Sequence, residues 1–261
     1  MFRALTIAGS DSSGGAGIQA DLKTFQELRV FGMSALTVVT AQNTVGVQGI
    51  YPLTAEAVAT QIDSVVTDIG VDAFKTGMLL NADLIHAVAD RIQRHELKGF
   101  VLDPVMMSKS GASLLDPAAI ESMKTSLFPL STVVTPNIPE AIALAGTEDL
   151  REAACRLYDM GAQHIVIKGG YGHGPEVMDL FYDGTHFQEF TYPRIQTRNT
   201  HGTGCTFSAA IVASLAQGAT VGEAVSFAKR YIHRAIEESL SLGKGHGPTN
   251  HWAFNDRSPK P

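Results

Sequence analysis

Short β-branched runs alternate with amphipathic helical patterns along most of this 261-residue chain, and that rhythm restricts its fold more than any other feature. Extended runs read at residues 4–8, 35–41, 73–76, 100–103, 132–136 and 165–168. Helical spacing reads at 18–28, 55–69 and 82–94; in the second, Val58, Ile62, Val65, Val66 and Ile69 share one stripe. Strands separated by helices of this length imply βαβ units and a mostly parallel sheet covered on both faces. Residues 177–192 break the rhythm, because two extended runs flank Asp183-Gly184, a hairpin turn signal. Two helices, 204–217 and 221–240, then close the chain. No Pro/Gly/Ser-rich linker divides it. One α/β domain over 1–256 is expected, with a disordered tail at 257–261.

Charge and cysteine content exclude several function classes. The net charge is −6 and no Lys/Arg run occurs, which argues against nucleic acid as a partner. No apolar run approaches the roughly 20 residues needed to span a bilayer, so no membrane association is expected. The opening apolar stretch is too short for an export signal. With only Cys155 and Cys205, the chain is expected to be cytoplasmic, with free thiols.

Open parallel sheets bind ligands beyond the carboxyl ends of their strands, so the segments after each run carry the functional reading. The first is Gly9-Ser10-Asp11-Ser12-Ser13-Gly14-Gly15-Ala16-Gly17, which leads into a helix and offers amides to an anion. It is not a Walker A loop, because Gly15 and Ala16 stand where Lys and Ser/Thr are required. Gly15-Ala16-Gly17-Ile18-Gln19-Ala20 half-fits a dinucleotide fingerprint. The acid that should hold the ribose is absent, however, and Gln42-Asn43 occupies that place. Asp21 reads as a helix first-turn acid.

Asn199-Thr200-His201-Gly202-Thr203-Gly204-Cys205 is the most informative segment. Gly202 and Gly204 allow close backbone approach, and the amides at Thr203 and beyond start a helix facing an anion. Such a turn suits phosphoryl transfer, where positioning and electrostatic stabilisation dominate. Cys205 at the helix start is expected to have a thiol pKa below its usual ~8.5 and to accept a proton from an attacking hydroxyl. Asn137 and Glu140 form a capping box, and Glu140 also reads as a Mg²⁺ partner beside Asp103. Lys168, followed by two glycines at a strand end, suits a triphosphate. Residues 108–111 read as a polar loop able to close over the site.

The ordered segments 5–25, 40–44, 75–78, 101–111, 133–141, 165–170, 199–206 and 245–251 resemble the ribokinase superfamily. More closely, they resemble the hydroxymethylpyrimidine/phosphomethylpyrimidine kinases of thiamin synthesis. The resemblance implies a three-layer αβα fold, ATP and Mg²⁺, and two successive phosphorylations. It places Gly9, Asp21, Gln42 and Val105 against the pyrimidine, Lys168 and Asn137 at ATP, and Asp103 and Glu140 at Mg²⁺. Gly202, Thr203, Gly204 and Cys205 would form the anion hole, with Cys205 as base. It also implies a homodimer. A pyridoxal kinase is the nearest rival. The rivals that use a lid cysteine carry it near 107–108, where this chain has Met107 and Ser108, and Ala41-Gln42-Asn43-Thr44 resembles the pyrimidine enzymes. A non-catalytic ligand sensor is the alternative from another class.

Overall fold

The computed structural model describes residues 1–106, 115, 117–170 and 174–255, and each extended run read from the sequence contains a strand. The strands are β1 (Arg3–Asp11), β2 (Phe31–Asn43), β3 (Gly46–Pro52), β4 (Ala73–Thr76), β5 (Phe100–Leu102), β6 (Val133–Val134), β7 (Ile165–Ile167), β8 (Glu176–Tyr182) and β9 (Phe187–Pro193). They form one sheet in the order β3-β2-β1-β4-β5-β6-β7-β8-β9. Strands β1, β2, β4, β5, β6 and β7 run parallel, whereas β3, β8 and β9 are antiparallel to their neighbours.

Short apolar strands are what a sheet covered on both faces requires. In β5 all three residues are fully buried. Phe100 and Leu102 pack into one core, and Val101 into the other. The first core is covered by α2 (Ala55–Asp68), α3 (Ala82–Arg94), α4 (Pro117–Ser126), α5 (Ile138–Ala145) and α6 (Leu150–Asp159). The second is covered by α1 (Gly17–Glu27), α7 (Thr203–Ala216) and α8 (Val221–Glu237). The three-layer αβα arrangement is therefore present. Helix α7 is buried on most sides, from Thr206 to Ala213, and α8 packs its apolar stripe against it.

From β1 the chain passes to β2 on one side and later to β4 on the other. That reversal opens a crevice at the carboxyl ends of β1 and β4. The hairpin read at 177–192 is β8–β9, with the Asp183 carboxylate accepting from the amides of Thr185 and His186 in its turn. Strand β3 and helix α4 were not anticipated. Gly46–Pro52 lies largely exposed at the sheet edge, so it lacks the inward apolar alternation that marks a strand. Its identity comes from pairing with β2. The expected loop at 108–111 and the tail at 257–261 lie outside the described residues.

Phe74 and Phe100 stack across β4 and β5, with ring centroids 4.8 Å apart and both side chains fully buried. Phe74→Ala is expected to lower stability by about 3–5 kcal/mol in urea unfolding, through lost burial and the cavity left behind.

Candidate active site

A cleft of about 580 Å³ opens at the carboxyl ends of the strands. Gly9 and Asp11 at the end of β1, Gln42 from β2, and Met78 after β4 line one part. Asp103 and Val105 after β5, Asn137 and Glu140 after β6, and Lys168 after β7 follow in sheet order. Gly202, Thr203, Gly204 and Cys205 close it at the start of α7. Of the residues picked out from the sequence, eleven of the twelve thus reach a single wall: Gly9, Gln42, Val105, Asp103, Asn137, Glu140, Lys168, Gly202, Thr203, Gly204 and Cys205.

Asp21 is the exception. It is fully buried beneath the cleft rather than on its wall, and it is not in the first turn of α1. One oxygen accepts from Lys75 Nζ at 2.8 Å and the other from Thr6 Oγ1 at 2.6 Å. Both oxygens serve buried donors, and the structure places Asp21 below the cleft and not among its lining residues.

Lys75 was the residue most clearly overlooked. It is fully buried in β4 and also approaches the Cys205 carbonyl at 3.5 Å. A lysine within Ala73–Thr76, otherwise a short buried strand, was the available signal. Burial opposes its charge, but the nearby acidic groups, Asp21 foremost, more than offset this and hold the ammonium above its usual range.

A second ion pair joins Lys168 Nζ to Asp103 Oδ1 at 2.8 Å, and Ser208 Oγ donates to Asp103 Oδ2 at 3.1 Å. Burial would raise the Asp103 carboxyl, yet Lys168 and Lys75 outweigh it and hold it below the ordinary carboxylate range. Glu140 behaves oppositely. Burial raises it, and Lys168 only partly opposes this. Its carboxylate accepts from the Asn137 amide at 2.8 Å, and its own amide donates to Asn137 Oδ1 at 2.9 Å, which closes the capping box.

Helix α7 begins with no side-chain cap, so its first amides face the cleft without one. Gly202 has φ +80°, and a Cβ there would lie 1.7 Å from the Gly15 carbonyl oxygen. Only glycine lets this turn press against the first loop. Beside it, His201 Nε2 and Asp11 Oδ2 are 2.8 Å apart, and both residues are buried. Burial alone would raise Asp11, but hydrogen bonds from His201 and Ser13 outweigh it and hold the carboxyl at about 2. Both residues stood in the quoted motifs, yet nothing in the sequence paired positions so far apart.

The expected fall in the Cys205 pKa does not occur. Burial pushes the thiol up to about 11; Lys75 opposes this, while Asp21 and Asp103 reinforce it. Helix-start amides lower a thiol pKa most where no carboxylates crowd it, and two crowd this one. Cys155 and Cys205 are both free thiols.

Residues 11–250 match the sequence model of the phosphomethylpyrimidine kinase family. The chain belongs to that family. It is 52% identical to a hydroxymethylpyrimidine/phosphomethylpyrimidine kinase from Bacillus subtilis, over 99% of this chain and 97% of the relative. Solved structures of similar shape include an ADP complex of Bacillus subtilis pyridoxal kinase. Its TM-score is 0.91 at 45% identity, covering 98% of this chain and 99% of that one. Another is the Staphylococcus aureus pyridoxal kinase with AMP-PCP and pyridoxal. Its TM-score is 0.91 at 40% identity, covering 98% and 96% of the two chains. The phosphomethylpyrimidine kinase family thus shares its architecture with pyridoxal kinases. Among the described residues, no helix is long and apolar enough to cross a membrane.

Lys75→Met leaves Asp21 buried without its cation, and is expected to lower stability by about 3–5 kcal/mol. The double replacement Lys75→Met with Asp21→Leu should recover most of that loss. Urea midpoints of the two variants make the comparison.

Proposed function

We propose that this chain transfers the γ-phosphoryl group of ATP to the hydroxymethyl group of 4-amino-5-hydroxymethyl-2-methylpyrimidine. A second transfer to the resulting monophosphate then gives the diphosphate, in thiamin biosynthesis. The observation that carries this reading is the uncapped start of α7, which opens into the same cleft as Gly9, Gln42 and Lys168. An anion-binding helix terminus, a strand-end lysine and the wall at Gly9 and Gln42 then face one space. Membership of the phosphomethylpyrimidine kinase family supports the same acceptor. The whole activity is assigned to one domain over 1–256, in a cytoplasmic homodimer.

In this reading Gly202, Thr203, Gly204 and Cys205 present amides to the migrating phosphoryl group, whose charge lies on its peripheral oxygens. Lys168 meets ATP phosphates, and Asn137 borders the nucleotide. Gly9, Gln42 and Val105 border the acceptor ring, whereas Asp21 acts only from below, through Lys75. Asp103 and Glu140 suit Mg²⁺, which takes one or two carboxylates together with phosphate oxygens and water. Burial is the main reason the Glu140 carboxyl is raised, with Asp103 adding to it, and a cation bound there would favour its charged form. Bound Mg²⁺ would supply charge neutralisation to the phosphates.

Cys205 is the general base. Its thiol sits at about 11, so it is protonated at neutral pH in the free protein. The thiolate fraction then grows about tenfold per pH unit below that value. Accordingly, kcat/KM is expected to climb with pH between about 7 and 10. Cys205→Ser should retain nucleotide binding while kcat falls by about 10²-fold, and the alkaline climb should vanish. An unchanged kcat would leave Cys205 a packing role only.

The second reading, pyridoxal as acceptor, is favoured by the pyridoxal kinases of closely similar shape. Steady-state kinetics with MgATP and both alcohols decides between them. The pyrimidine alcohol is expected to show the higher kcat/KM, and the reverse order overturns the substrate assignment. Zero turnover of both alcohols despite tight MgATP binding would instead point to a sensor.

A further inference from the structure

The ladder between β7 and β8 pairs Ile165 with Tyr182, Val166 with Phe181 and Ile167 with Leu180. One more step would set Lys168 opposite Asp179. The Lys168 amide belongs to the other side of the strand, where it donates to the Pro136 carbonyl at 2.8 Å, so the next bond toward β8 falls to Gly169. The next amide, of Gly169, donates to the Asp179 side chain, Oδ1, at 2.8 Å. A carboxylate on β8 thus takes over where the main-chain ladder ends. The other oxygen of Asp179 meets Lys229 Nζ of α8 at 2.8 Å, and each residue is only 4% exposed. The fit of the turn is tight, because a Cβ on Gly169 would lie 1.7 Å from the Met178 carbonyl oxygen.

Immediately before this clasp, Lys168 reaches Asp103 with its ammonium group. Asp179 and Lys229 also border the cleft, and no role is assigned to them above. Stability gives little reason to keep them, since a buried ion pair is often no better than apolar residues of equal volume. The buried Gly169 amide does need an acceptor. A carboxylate held by an ammonium supplies a shorter, stiffer bond than a neutral partner.

We propose that Asp179 and Lys229 are positioning residues for the nucleotide: they clamp Gly169 onto β8 and so hold Lys168 in its phosphate-facing place. The inference rests on the kinase reading of this cleft. It assigns the pair to the nucleotide and not to the acceptor alcohol, whose wall comes from β1, β2 and the turn after β5.

Two double variants of the full chain test it without leaving a lone buried charge. Asp179→Asn with Lys229→Met removes both charges but keeps an oxygen for the Gly169 amide. Asp179→Leu with Lys229→Met removes the acceptor as well. The second is expected to raise KM for MgATP about tenfold while KM for the alcohol stays within about twofold. The first keeps a weaker, neutral acceptor and should raise KM for MgATP by a smaller factor, about threefold, with the alcohol value again within about twofold. Calorimetry with AMP-PCP should rank the Kd values in the same order, a readout that needs no turnover. Equal losses in the two double variants, or an alcohol KM that moves as far as the MgATP KM, would overturn the proposal. Should the leucine variant not fold, Gly169→Ala displaces the same turn, and it must show the same nucleotide-selective loss. A parent that binds AMP-PCP but phosphorylates neither alcohol sinks the kinase reading alone, and the calorimetric ranking still judges the clamp.

Discussion

Alternating charge, running from beneath the cleft onto its wall, is the constraint on which the site depends. Asp21 on α1, Lys75 on β4, Asp103 after β5 and Lys168 after β7 follow one another across the sheet, each sign beside its opposite. Asp21, Lys75 and Asp103 are buried, and Lys168 is only partly open to water. An unpaired member would be costly, and so each fixes its neighbour. The row couples the strand ends electrically as well as sterically. Lys75 acts on both Asp103 and Cys205, and Lys168 acts on Asp103 and Glu140. With Glu140 included, carboxylates outnumber ammonium groups by one before any phosphate arrives. A divalent cation fits that imbalance chemically.

Two glycine-bearing loops lie over this row and interlock. Gly202 presses on the Gly15 carbonyl, and a Cβ on Gly15 would lie 2.5 Å from the His201 ring. The Asp11 carboxylate gathers the Ser13 and Ala16 amides on one side and His201 on the other. The Gly247 carbonyl and the Thr249 amide also hold His201 through its main chain. The turn that starts α7 is therefore held from the first loop and from the 247–249 segment, and it does not rely on its own helix. Such support suits a site whose amides must already point at a charge when it develops.

Much of this was legible in the sequence for a definite reason. Strands buried on both faces must be apolar, and helices packed on them must be striped, so the αβα layering is written in local periodicity. Glycines at strand ends mark close backbone approach, which is why the cleft wall from Gly9 to Cys205 could be read. What stayed hidden was pairing across long separations. Nothing near Lys75 names Asp21, nothing near His201 names Asp11, and nothing near Asp179 names Lys229. Asp21 reads from the sequence as a first-turn acid for the same cause, since its buried cation lies 54 residues away. The thiol of Cys205 was misjudged because the helix start was visible, whereas its burial and the two nearby carboxylates were not. Strand β3 escaped because exposed edge strands carry little apolar pattern.

The hairpin β8–β9 carries one last consequence. It extends the sheet beyond β7, and with α7 and α8 it supplies Val177, Tyr192, Phe207 and Ile232 to one end of the cleft. The opposite end is made by the first half of the chain. In sheet order Lys168 stands between the two groups. Drift in one half of the chain can therefore alter which ring is accepted while the other half stays as it is. On the proposed kinase reading, a lineage built this way can change the ring it accepts without first dismantling its energy-donor pocket.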